Sequence, residues 1–378
     1  MTHFSEMTVF ELADWVEANH IEMTHVALQH LAVCVVSESL SITDLLDFEI
    51  LAPLLARVSS LDENLCEALF VFLNNSANKQ SVQEIYLQTR ICDLIVDHFC
   101  MWMSRHNTVY ANFPLVLCLV KGNNVCKSKF IQRSGLLVDM LKMCLYTRDD
   151  ELWEIFSTLL RDDDVVARNN PATIFARDTL NGMENLVCEV AAIKFANNPS
   201  NAFYVLIAVS WNPELMRRIA LDFGWLVRAM NIVSNGVACQ FIRHISFSEE
   251  LKSDLWDIFS KMENSVNEWI IGAGRDMSVC GHLFGTMTNL GMRNNSRSEK
   301  ICCQFPKLIL LAEHLLLSDK TISSFVQIQI LQFLRLVSQF NFNLIIQFTE
   351  VLTQNKQFSK NSTIERISQE ILHKADDS

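Results

Sequence analysis

Twelve cysteines and ten histidines carry this chain's capacity for metal binding and nucleophilic chemistry, and their spacing decides whether it is realised. Zinc needs four converging donors, written in sequence as spacings such as C-x-x-C or H-E-x-x-H. Neither occurs. Cys302 and Cys303 are adjacent, which suits core packing better than a structural metal pair. A serine nucleophile needs a G-x-S-x-G elbow, and a phosphate needs a glycine-rich loop leading into a helix. Both are missing, and the glycines of Gly272 to Asp276 (GAGRD) lack a strand-to-helix setting and read as a loop. No histidine stands beside a cysteine or serine in a recognisable catalytic setting. The expectation is therefore no enzyme, with no catalytic residue, no metal and no cofactor. Recognition chemistry is what remains. Asparagine pairs recur at Asn74-Asn75, Asn123-Asn124, Asn169-Asn170, Asn197-Asn198 and Asn294-Asn295. Asparagine tolerates the left-handed backbone that closes helices, so capping accounts for most of them.

The elements that must position these groups are legible around Lys121 to Leu141 (KGNNVCKSKFIQRSGLLVDML). A polar turn leads into a short basic helix, a corner at Gly135, then an apolar helix. Phe130, Ile131, Leu136, Leu137, Met140 and Leu141 fall at helical spacing on either side of that corner. Glycine there allows a sharp turn that a side chain would obstruct. The stretch resembles the armadillo repeat, whose pattern runs roughly N-x-x-N-K-x-x-I-x-x-x-G-[LI]-[LIV]-x-x-L-[LV]. The resemblance implies an all-α, right-handed α-solenoid of about seven to eight armadillo-like units.

The apolar helix after each corner is expected to begin near Ile50, Ile91, Leu136, Met183, Trp225, Phe305 and Leu344, with a degenerate unit over Ser265 to Ile271 filling the one double step. Steps of this length lie in the armadillo/HEAT range. Glu151 to Ser157 (ELWEIFS) recurs as Asp254 to Ser260 (DLWDIFS), which suggests duplication. Residues 1–48 read as an N-terminal helical cap, 49–353 as the repeat array, and 354–378 as a closing helix with a tail. Arg161 to Pro171, Trp269 to Asp276 and Gly291 to Lys300 read as weak points, the first as a loop. The L-x-x-L-L string at Leu51 to Leu55 reads as core.

In importin-α-like members of the armadillo family, a Trp and an Asn four residues later recur on the groove-lining helix, where the amide grips an extended peptide and the indoles sandwich its side chains. Carried over residue by residue, Phe70/Asn74 keeps the aromatic and the amide. Trp153/Ser157 keeps the Trp, Phe203/Ile207 keeps an aromatic, and Gly285/Asn289 keeps the amide. Cys239/Arg243 and Pro114/Cys118 keep neither. By this resemblance Phe70, Asn74, Trp153, Phe203, Arg243 and Asn289 are the partner-binding candidates on the concave face, and Arg243 suggests an acidic ligand in its unit.

A net charge of −12 argues against sequence-independent nucleic-acid binding and against an anionic membrane surface, which both need a basic field. Apolar runs such as Pro114 to Val120 are too short to span a bilayer. With 50% hydrophobic and only 20% charged residues, the chain suits helices buried on several sides, and ten glycines with six prolines are too few for a turn-rich β fold. The start shows no secretory layout, so the expected location is cytoplasmic, nuclear or both, with cysteines reduced. The expected role is a non-catalytic scaffold or adaptor that holds an extended peptide or helical segment of a partner protein. Two alternatives stand beside it: a divergent nuclear-import adaptor, and a regulatory or substrate-adaptor subunit of an enzyme complex.

Overall fold

Asparagine opens helices in this chain. In the computed structural model, which describes residues 14–15, 20–36, 69, 71–75, 80–88, 91–105, 112–121, 123–147, 150–161, 171–317 and 322–376, Asn123, Asn212, Asn235 and Asn294 each sit in extended backbone with the side-chain oxygen accepting from N–H groups of the first turn. This satisfies donors that a helix start leaves without partners. Asn361 accepts from Thr363 and Ile364 in the same way. The sequence reading placed the pairs that include Asn123 and Asn294 at helix ends. What these caps use is the short side chain's reach to the following N–H groups; Asn112, the N-cap before Phe113, combines that reach with a positive φ of 46°. Asn169-Asn170 lie outside the described residues.

The chain divides into two compact units, Met1–Ala208 and Val209–Ser378. In the first, α1 (Ile21–Val36) is followed by α2 (Gln80–Gln88), α3 (Ile91–Ser104), α4 (Phe113–Val120), α5 (Asn124–Ile131), α6 (Leu136–Tyr146), α7 (Asp150–Leu160), α8 (Pro171–Leu180), α9 (Glu184–Lys194) and α10 (Pro199–Val209). They form triplets of short first helix, second helix and third helix. The second helices stack as α3, α6 and α9, the third helices α4 and α7 pack together, and the first helices α5 and α8 do likewise. Helix α6 buries Leu136, Leu137, Met140, Leu141 and Cys144, and α7 buries Leu152, Trp153, Ile155, Phe156, Leu159 and Leu160. Each such large apolar side chain contributes about 1.5–3 kcal/mol on leaving water. Two buried lysines cap neighbouring helix ends: Lys194 Nζ donates to Thr147 O at 2.9 Å and Lys127 Nζ to Arg161 O at 3.0 Å. A cation at a helix C-terminus meets both orphan carbonyls and the negative pole.

The second unit holds α11 (Pro213–Arg217), which widens into a π turn over Arg218–Asp222, then α12 (Trp225–Met230), α13 (Gly236–Ile245), α14 (Lys252–Lys261), α15 (Glu263–Ala273), α16 (Met277–Gly291), α17 (Asn295–Gln304), α18 (Lys307–Leu316), α19 (Ser324–Ser338), α20 (Thr349–Phe358) and α21 (Ser362–Asp376). Its third helices form one column in which α16 packs between α13 and α19, and α21 packs on both α19 and α20. No strand occurs among the described residues.

The corner between first and second helix is a positive-φ glycine in three successive triplets: Gly135 (φ 79), Gly182 (φ 83) and Gly224 (φ 71). A side chain is strained there whatever the space. The expected starts at Ile91, Leu136 and Trp225 are helix starts, Met183 is the N-cap of α9, and α15 spans the degenerate unit. Phe305 lies two residues before α18, and Leu344 falls in a 3-10 helix, Phe342–Phe348. Ile50, Leu51 to Leu55, most of residues 1–48 and residues 162–170 of the expected loop lie outside the described residues.

Other expectations need correction. Trp269 to Ala273 belongs to α15, so only Gly274 to Asp276 form the turn; Asn295 to Lys300 belongs to α17. The expected boundary before Gln354 cuts through α20. The ELWEIFS/DLWDIFS echo does not mark equivalent positions. The first copy lies in a third helix, α7, and the second in a first helix, α14. An amphipathic helix of similar composition suits both places, so the likeness follows from patterning rather than register.

Candidate protein-interaction face

The sequence-derived candidates separate sharply by burial. Phe70 lies outside the described residues. Asn74 is half-buried in a helical run, residues 71–75. Trp153 is fully buried, its ring stacked on Phe156 at 5.6 Å between centroids, and Phe203 is fully buried edge-on to Phe195 at 5.8 Å. Neither reaches a surface, so both are core residues and not partner anchors. The side of the third helix that faces its neighbours also carries the largest apolar groups, and packing claimed both rings. Asn289 is 8% exposed, and its amide Nδ2 donates to Ser246 Oγ at 2.9 Å, while Ser246 Oγ donates to Arg243 O at 2.7 Å. That amide ties α16 to the end of α13 instead of gripping a ligand.

Arg243 keeps its place on a face. Its guanidinium carbon lies 5.2 Å from the ring centre of Phe325 and 5.7 Å from that of Phe247. Both phenyls are open to solvent, at 40% and 50% exposure. The arrangement depends on α16 presenting bare backbone. A Cβ on Gly285 would come within 3.0 Å of Arg243 Nε and Cδ and of Gln329 Oε1, and one on Gly281 would overlap the Phe325 ring. The two glycines stand one helical turn apart, so they open a shallow channel along α16. Arg243 from α13 and Phe325 and Gln329 from α19 lie in it. His282, between the glycines, meets Phe325 edge-on at 5.9 Å. Burial, with the Arg243 charge adding to it, brings its imidazole down to about 4, so it stays neutral near pH 7.

Chemically, this is a planar cation held between two aromatic faces. A guanidinium near aromatic rings is a recognition element suited to a carboxylate or phosphate, which its N–H groups can meet with two parallel hydrogen bonds. Sequence reasoning found Arg243 and missed Gly281, Gly285, Phe247 and Phe325. The G-x-x-x-G spacing in a glycine-poor chain was the available signal.

Among the described residues no three His, Cys, Asp or Glu side chains converge for a metal. A cleft of about 460 Å³ is lined by Gln327, Gln354, Asn355 and Ser359, amides and a hydroxyl without a titrating group. Among the described residues no helix is long and apolar enough to cross a membrane.

No family model matches the sequence, and no curated protein matches it either. Solved structures do. An engineered protein of known crystal structure is similar over 97% of this chain and 88% of its own, with a TM-score of 0.70 at 15% identity. The fold is an α-solenoid. A chain from a structure describing a conserved phosphorylation switch, which controls the interaction between cadherin and β-catenin, is similar over 97% of this chain and 86% of its own. Its TM-score is 0.57 at 11% identity. Identities this low speak for the fold alone.

Proposed function

We propose that this chain is a non-catalytic, armadillo-like protein-binding scaffold, and that the α13–α16–α19 face of its second unit receives an acidic segment of a partner protein. The observation that carries the reading is Arg243 between the exposed rings of Phe247 and Phe325 above the bare backbone at Gly285. Stacked helices offer contact area along a column of third helices, which suits an extended peptide or a helix. Aromatic and Arg side chains grouped this way are the usual anchors of binding energy. A nuclear-import adaptor needs surface indoles and amides to read basic cargo; buried Trp153 and internally bonded Asn289 weigh against it.

The test is binding of fluorescein-labelled Asp/Glu-rich peptides, compared with the same peptides carrying Asn and Gln. Anisotropy titrations should show preference for the acidic set, a loss of tenfold or more for Arg243→Glu, and a smaller loss for Phe325→Ala. Equal binding of both peptide sets, or undiminished binding by a folded Arg243→Glu, overturns the reading.

A further inference from the structure

A second cluster lies far along the chain from Arg243, inside the first unit. Cys92 sits in the first turn of α3 and Cys126 in the first turn of α5, and their sulfurs stand 3.6 Å apart. Neither thiol has any exposure. The same two helices are joined beside them by Lys129 Nζ and Asp93 Oδ1 at 2.5 Å, an ion pair that does reach solvent. The geometry brings two reducing groups to a helix junction where packing alone would ask only for small apolar side chains.

The two thiols also differ chemically. The two thiols share one S–H···S hydrogen bond, and this contact draws the Cys92 thiol below its usual value, with the Lys129 charge acting in the same direction. The same bond and burial push Cys126 upward. Buried thiols elsewhere behave oppositely to Cys92: burial raises Cys280 and Cys302 to about 12. Both cysteines also lie at the positive ends of their helices, which favours a thiolate.

We propose that Cys92 and Cys126 form a reversible redox site, oxidised by hydrogen peroxide to an intramolecular disulfide that locks α3 to α5. The Cys92 thiolate attacks one peroxide oxygen, the O–O bond breaks, and the departing hydroxide takes the proton lost from Cys92, leaving one water and a sulfenic acid on Cys92. The Cys126 sulfur then attacks the Cys92 sulfur. The S–O bond breaks, and the hydroxide leaves as a second water with the Cys126 proton. Two thiols and one peroxide become one disulfide and two waters, with two electrons passing from sulfur to oxygen. The sulfurs must close by about 1.5 Å to reach a normal S–S bond of about 2.05 Å. The partners are 34 residues apart in sequence, so the bond closes a loop that contains α4 and should raise the melting temperature.

The experiment uses the full chain, treated with hydrogen peroxide, cleared of the oxidant, then denatured for thiol titration and intact-mass measurement. Titratable thiols should fall from twelve to ten, the mass should drop by two hydrogens, and dithiothreitol should restore both. Fragmentation of digested wild-type protein should join residues 91–105 to residues 122–127 through Cys92, not through Cys100. This readout needs no variant to fold. Cys92→Ser and Cys126→Ser should each abolish the two-thiol loss, whereas Cys303→Ser, which removes an exposed thiol, should not. Persistence of twelve thiols, or of all but Cys303, overturns the proposal. So does a disulfide mapped to any other pair. None of these outcomes depends on whether acidic peptides bind at Arg243.

Discussion

At the scale of single residues, conformation and close approach separate glycines that look alike in sequence. Gly135 is exposed, and a Cβ placed on it meets only Asp139 Oδ2 at 3.8 Å, so space is not its constraint. Its φ of 79° is. For an L side chain that backbone costs roughly 1–2 kcal/mol, more when β-branched. Gly135→Val is therefore expected to lower stability by about 1–3 kcal/mol, and Gly135→Asn by clearly less because Asn tolerates the region. Urea unfolding of the two variants checks this. Equal losses would mean that something other than backbone strain sets the corner.

At the scale of elements, α16 shows how one helix serves both core and surface. Its fifteen residues are buried on most sides because α13, α15 and α19 pack against it. Gly281 and Gly285 are buried on the sides that face α13 and α19, and the side chains they lack leave the room that Arg243, Phe325 and Gln329 fill. For Gly281→Ala two effects oppose each other. Alanine is favoured over glycine within a helix by about 1 kcal/mol. Against that, the new methyl displaces the Phe325 ring, which is partly exposed and can swing outward. The expected outcome is a melting temperature changed by only a few degrees together with clearly weaker binding of acidic peptides. Unchanged binding would mean that the Phe325 ring contributes nothing to recognition.

At the scale of the whole molecule, each unit carries a histidine that folding keeps neutral. Burial depresses His98 in α3 and His282 in α16 to about 4. The His98 Nε2 accepts from the Trp102 indole N–H, and His282 Nδ1 has no hydrogen-bond partner among the described residues. Unfolded chains bind the proton near pH 6.5, where the folded protein does not. The stability that depends on the neutral form is thus complete above about pH 6.5 and drains away as pH falls toward 4, by up to about 1.4 kcal/mol per pH unit for each histidine. Melting temperatures measured from pH 7.5 to 5.0 should fall, and replacing either histidine with Gln should flatten part of the slope. A flat profile for the wild type over this range would refute the assignment.

What the sequence determined by itself was the periodic part of the problem. Apolar residues at helical spacing and glycines before apolar runs are local signals, so the all-helical class and starts such as Ile91, Leu136 and Trp225 were legible. Asparagine positions were legible too, though their role was reversed, because a cap is decided by which neighbouring N–H groups the side chain reaches. Tertiary structure alone decided which side of each third helix stays exposed. Trp153 and Phe203 share a pattern with surface anchors, yet neighbouring helices enclose them, while Phe247 and Phe325 remain outside. It also decided the pairings. Cys92 with Cys126, and Arg243 with Phe325, are separated by tens of residues and meet only because successive triplets stack. Contacts of that range depend on the rotation from one triplet to the next, and a one-dimensional pattern carries no record of it.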